Sequence, residues 1–167
     1  MATGTNPKES VPPIWLVGHD LTHAADEVTR AAAAELAPHG GTLILFHAYQ
    51  IPVAPPVYAG AAISVPPLNL EMEKQIERMA INRLDELRRD ITTSFPEIQV
   101  HTRVAQGPAA ATLLSFADLE HVDRIVVGTH GRTGFRHFLL GSVAERVVRL
   151  ASVPVLVDKQ NGGHMHA

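Results

Sequence analysis

Three short apolar runs constrain this chain most: Ile14-Trp-Leu-Val17, Thr42-Leu-Ile-Leu-Phe46 and Val122 to Val127. Each is too short for a helix and is closed by polar or glycine residues, the form of a strand covered on both faces in a parallel sheet. Parallel neighbours need a crossover, usually a helix. Thr22 can cap a first helix, with Asp26 and Glu27 in the early turns where negative charge is favoured. Val28, Ala31, Ala32, Glu35 and Leu36 recur at helical spacing before Pro38-His-Gly-Gly41 ends the element. Glu71 to Ile91 is the clearest helix, with Met72, Ile76, Met79, Leu84, Leu87 and Ile91 as its apolar stripe. Gly107-Pro108 opens a third, with Pro108 at a first helical position and Leu113, Leu114 and Ala117 facing inward. Ile98 to Val104 alternates as a half-covered or edge strand, and Val153-Pro-Val-Leu-Val157 is a short last strand. The alternation predicts an α/β fold, a single doubly wound (Rossmann-like) domain with a five-stranded parallel sheet.

That domain is expected over residues 14–157, after a flexible leader (1–13) and before a polar tail (158–167). Between them, 49–70 carries Pro52, Pro55, Pro56, Pro66 and Pro67, which forbid a long helix or central strand. A loop of this length is a lid, a partner surface or disordered. The formal charge of −3 excludes a general nucleic-acid binder, and the chain has no cysteine for disulfides, thiolate metal sites or thiol nucleophiles. No secretion signal or membrane-spanning run is present, so a cytoplasmic protein is expected, without nucleic-acid or membrane partners. The ten histidines are scattered and only His164 and His166 lie close together, so no specific metal site is expected.

The functional signal lies after the fourth strand. Gly128, two residues, Gly131, nine residues, then Gly141-Ser142 lead into the periodic segment Val143-Ala-Glu-Arg-Val-Val-Arg-Leu150. Strand, glycine loop and helix N-terminus together make an anion site, most often for phosphate. A Walker A loop needs Gly-Lys-Ser/Thr, whereas Leu140 precedes Gly141-Ser142, and a dinucleotide fingerprint packs its glycines into six positions. The spacing resembles the nucleotide-binding signature of the universal stress protein family, in its ATP-binding branch. The likeness runs on through Val157 and more loosely back to Ile14.

The resemblance implies strand order 3-2-1-4-5, with a crevice between the strands ending at Asp20 and Gly128. The N–H groups of Gly131, Gly141 and Ser142, with the Ser142 hydroxyl and with Val143 beside them, would hold phosphates; the plain alternative is a tight turn with Ser142 as a helix cap. Gly128 would admit a ribose and Arg132 add positive charge. Asp20 stands where the family carries a nucleoside-contacting aspartate, and Ala48 where it reads adenine through the backbone. Gly107 would flank the base, and Gly18 replaces a proline common in the family.

The cofactor expected is ATP, or AMP or another adenine nucleotide, with Mg²⁺ held through its phosphates. The loop from 128 to 142 holds no carboxylate or lysine, and only His130 and His137 as bases, so binding is favoured over catalysis and hydrolysis would be slow. The family pairs through its last strand, so a homodimer through Val153–Val157 is expected. Two alternatives stand beside this regulatory reading: a phosphoryl- or nucleotidyl-transferring enzyme with 49–70 as its lid, and a nucleotide-independent interaction module.

Overall fold

The computed structural model describes residues 11–51, 70–129 and 140–158, with the backbone alone of 57–59 and 62–64. In chain order the elements are β1 (Ile14–Gly18), α1 (His23–Leu36), β2 (Gly41–Tyr49), β3 (Val57–Ala59), β4 (Ala62–Ser64), α2 (Leu70–Ser94), β5 (Ile98–Gln106), α3 (Ala109–Leu119), β6 (Arg124–Gly128), α4 (Ser142–Leu150) and β7 (Val155–Asp158). The five-stranded sheet runs β5-β2-β1-β6-β7 and is parallel throughout, which is the expected order 3-2-1-4-5 among its own strands.

β1 lies at the centre, Leu16 beside Ile44 of β2 and Ile125 of β6. Period-two alternation sends its side chains to two cores. Trp15 and Val17 join Val28, Leu36, Leu84, Leu87 and Ile91 beneath α1 and α2. Leu16 joins Phe46, Leu113, Ala117, Ile125 and Val147 beneath α3 and α4. Burial on both faces is what demanded apolar residues at every position of the central strands. On the edge strand β5, Ile98 and Val100 are buried while Gln99, His101 and Arg103 are exposed, as its alternation predicts.

Several local readings change. The proline-rich segment carries a short antiparallel hairpin, with Val57 opposite Ser64 and Ala59 opposite Ala62, outside the main sheet. Short edge pairing tolerates nearby prolines that a central strand would not. β2 extends to Tyr49 and α2 begins at Leu70, so both ends of the expected loop belong to regular elements. Pro108 is the N-cap of α3, extended at φ −62° and ψ 124°, instead of its first helical residue. On α2 the buried stripe is Ala80, Leu84, Leu87 and Ile91, while Met79 is 64% exposed. A helix of 25 residues runs about 37 Å, against about 30 Å for the nine-residue strands. Its N-terminal turns therefore overhang the C-terminal ends of the strands.

Candidate functional site

The chain leaves β1 for β2 and β5 on one side and returns to β6 on the other, so the sheet splits its connections above β1 and β6. A cleft of ≈ 860 Å³ opens there, lined by Gly18 to Leu21 after β1, Phe46 to Gln50 at the end of β2, Gly128 after β6 and Gly141 to Ala144 at the start of α4. Ile76, Met79, Ala80 and Arg83 of the overhanging α2 form one wall, and Ala109 and Leu113 of α3 part of another.

Asp20, Ala48, Gly128, Gly141, Ser142 and Val143 are brought together here. Gly131 and Arg132 lie outside the described residues. Gly107 is absent from the lining and Ala109 takes that part of the wall. Its requirement for glycine is local: φ is +147°, and a Cβ would stand 2.5 Å from Thr112 Oγ1. Its N–H donates to the Tyr49 carbonyl at 2.8 Å, tying β5 to the end of β2. Gly18 also has a packing cause, since a Cβ there would come within 3.3 Å of both Leu113 and Val127.

The α4 N-terminus is capped differently from expectation. Gly141, with φ −59° and ψ 151°, is the N-cap and Ser142 the first helical residue, and among the described residues no side chain caps the helix. Gly141 N–H donates to the Thr129 carbonyl at 2.7 Å, which sets the approach of the loop to the helix. First-turn N–H groups of an uncapped helix are donors with no partner in the helix.

Opposite them, Asp20 Oδ1 accepts from Thr22 N–H at 3.1 Å and Thr22 Oγ1 at 2.6 Å. Its Oδ2 is buried and has no hydrogen-bond partner among the described residues. An orphaned carboxylate oxygen in a cleft wall is costly unless a ligand donor or water meets it.

Behind Asp20 lies a network that sequence reasoning did not single out. Asp26, 3% exposed at the side chain, accepts from His19 Nε2 at 3.1 Å and from Arg83 Nη2 at 2.5 Å, with the exposed His23 Nδ1 at 3.4 Å. Asp26 had been expected to serve the helix dipole alone, but its position on α1 turns it toward α2. His47 Nδ1–H donates to the His19 carbonyl at 2.8 Å. His19 and His47 each directly follow an apolar run, and that position was the available signal for a place at the cleft. Arg83 gave none, because only the packing of α2 brings it there.

Burial holds His19 below its ordinary pKa, overcoming the favourable influence of Asp26. The unfolded chain therefore binds more protons than the folded one between that lowered value and about 6.5. This contribution to stability is complete above the unfolded pKa and is lost as pH falls through the folded one. Urea midpoints should accordingly fall more steeply with acidification in the wild type than in His19→Asn; equal slopes would contradict the assignment. Burial, then Glu77 and Glu73, raise the Tyr49 phenol above its ordinary value, so it lines the cleft as a neutral hydroxyl.

Fold and cleft together define a doubly wound α/β protein whose open site lies at the topological switch point. The universal stress protein family model matches residues 15–159, and the chain belongs to that family. It is similar to Universal stress protein A homolog 1 of Coxiella burnetii, 33% identical over 141 residues, 84% of this chain and 92% of the relative. A universal stress protein of Mycolicibacterium smegmatis is 33% identical over 142 residues, covering 85% of this chain but 44% of the relative. Universal stress protein MJ0531 of Methanocaldococcus jannaschii is 46% identical over 63 residues, 38% of this chain and 37% of the relative. The matched region thus spans less than half the length of these last two relatives.

Solved structures share the fold. A universal stress protein in complex with cAMP has TM-score 0.61 at 22% identity, covering 90% of this chain and 99% of that one. The universal stress protein from Archaeoglobus fulgidus in complex with dAMP has TM-score 0.53 at 18% identity, covering 87% and 95%. Among the described residues, no helix is long and apolar enough to cross a membrane.

Proposed function

We propose that this chain is a cytoplasmic adenine-nucleotide-binding regulatory protein of the stress response, with ATP as its ligand and Mg²⁺ carried through the phosphates. One observation carries the reading: the orphaned Asp20 Oδ2 and the uncapped α4 N-terminus line the same cleft. One wall needs donors, as ribose hydroxyls and an adenine amino group are, and the other needs an anion. Neighbours of the same fold in complex with cAMP and dAMP support an adenine nucleotide. Phosphates would lie against Gly141, Ser142 and Val143, with Gly131 and Arg132 contributing from the loop; ribose would lie near Gly128 and Asp20, and the base near Ala48. Hydrolysis is slow at most, because the loop from 128 to 142 supplies neither carboxylate nor lysine to hold a metal or orient water.

The same reading includes a homodimer through Val153–Val157. β7 is an outer strand of the sheet, and neighbouring Val148 and Leu150 of α4 are 47% and 53% exposed. An unpaired apolar edge is a template for a second copy.

Denaturing extraction of freshly purified protein, with the released nucleotide identified by mass, tests the ligand, followed by Mg²⁺/ATP titration calorimetry. Extracted or tightly titrating ATP is the expected result. No nucleotide, and no heat at saturating ATP, would remove this function.

A further inference from the structure

The His19 side chain is fully buried in the cleft wall and makes two hydrogen bonds. Nδ1 accepts from Leu21 N–H at 3.0 Å, and Nε2 lies 3.1 Å from Asp26 Oδ1. A backbone N–H can only donate, so Nδ1 keeps its lone pair and the ring proton sits on Nε2, donated to Asp26. Leu21 has φ 67°, a left-handed conformation that a leucine keeps only where its surroundings hold it. Asp20 repeats the same side chain-to-backbone bond one residue on, to Thr22 N–H. The two interlocked bonds bracket Asp20 and leave its Oδ2 buried and unmet among the described residues.

We propose that neutral His19 is a positioning residue for Asp20: its Nδ1 latches the turn that presents Asp20 Oδ2 to a nucleoside donor, and protonation of His19 opens that latch. The identity of the donor rests on the nucleotide reading above; the latch itself does not. On protonation Nδ1 acquires a hydrogen facing the Leu21 N–H, and two donors cannot bond. Leu21 then loses the acceptor that holds it at positive φ, and Asp20 moves with it.

The charged and titratable groups around His19 are Asp26 of α1, Asp20 of the turn, Arg83 of α2 and His47 of β2, with His23 of α1 on the far oxygen of Asp26. Asp26 and Asp20 favour the imidazolium, while burial and Arg83 oppose it, and burial prevails. The latch is therefore closed at neutral pH and opens on acidification, so nucleotide is released as pH falls.

Asparagine at position 19 separates the latch from general acid effects. Its carboxamide oxygen accepts from the N–H two residues on, as in an Asx turn, and does not titrate. Alanine removes the acceptor. ATP affinity of the wild type, His19→Asn and His19→Ala is to be measured from near pH 8, through the ordinary histidine value, down to the lowest pH at which circular dichroism still shows all three proteins folded. Titration of ATP is common to all three proteins.

Across that range the wild type should weaken with acid more than His19→Asn, by about tenfold once the pH lies one unit below the folded His19 value, and His19→Ala should be about tenfold weaker already near pH 8. Wild-type binding by His19→Ala, or an unaltered acid response in His19→Asn, would overturn the latch. A wild type that binds no ATP anywhere in that range removes the proposed function instead. The latch is then decided on the ligand-free protein by the HN–Hα coupling of Leu21, which reports φ. A coupling that changes with His19 titration, and stays constant in His19→Asn, supports it; a constant coupling in both overturns it.

Discussion

Gly141→Asp should abolish nucleotide binding while leaving the protein as stable as before. The backbone at Gly141, φ −59° and ψ 151°, is extended and open to any L-residue, so the substitution introduces no backbone strain. Aspartate is moreover a preferred N-cap, and α4 has no side-chain cap of its own. The new carboxylate would accept from the first-turn N–H groups and interact favourably with the helix dipole, adding a few tenths of a kcal/mol to stability. Those are the same donors a phosphate would use. The ligand thus loses about two charge-assisted hydrogen bonds and meets a like charge, for a fall in affinity of about a hundredfold or more. Urea unfolding and ATP calorimetry on one preparation check both halves. Retained binding would place the anion site elsewhere, and lost stability would show that Gly141 is needed for the fold.

Asp26→Ala should have the opposite signature, a large loss of stability. Among the described residues Asp26 is the acceptor for the buried His19 Nε2–H and for Arg83, whose side chain is 30% exposed. Removing it leaves a buried ring N–H unmet and a guanidinium without its partner. Breaking a fully buried ion pair costs about 3–5 kcal/mol, and the partial exposure of Arg83 puts this case near the lower end, about 3 kcal/mol. Asp26→Asn keeps the shape and one acceptor, and should lose about half as much. Shifts of the urea midpoint at constant slope measure both, and a loss below about 1 kcal/mol for alanine would show that the network contributes little to stability.

How far the fold and cleft could be read from residues differs from place to place. The central strands were legible because burial on both faces requires apolar side chains at every position, and the runs ending at Val17, Phe46 and Val127 show that signal unmixed. The cap at Thr22 was legible because capping is a contact across three residues, here Thr22 Oγ1 to Ala25 N–H at 3.3 Å. The N-terminal half of α2 was only partly legible: Met72 and Ile76 are half-buried and Ala80 is buried, whereas Met79 is 64% exposed beside the cleft. The glycine spacing pointed to the α4 N-terminus, and the structure brings Gly141, Ser142 and Val143 to the cleft while leaving Gly107 out of its lining.

The sequence by itself determined what depends on near neighbours along the chain: strand and helix identity, the cap at Thr22, and a helix that starts behind the glycine loop. Tertiary structure alone decided which distant groups meet. Asp26 looks like an ordinary first-turn acid until α2 packs beside α1 and places Arg83 against it, across 57 positions of sequence. His19 looks like a polar strand end until burial makes it neutral and commits both its nitrogens. Backbone propensity and capping act over a few residues, whereas the protonation and pairing of a buried group depend on whatever the fold packs around it.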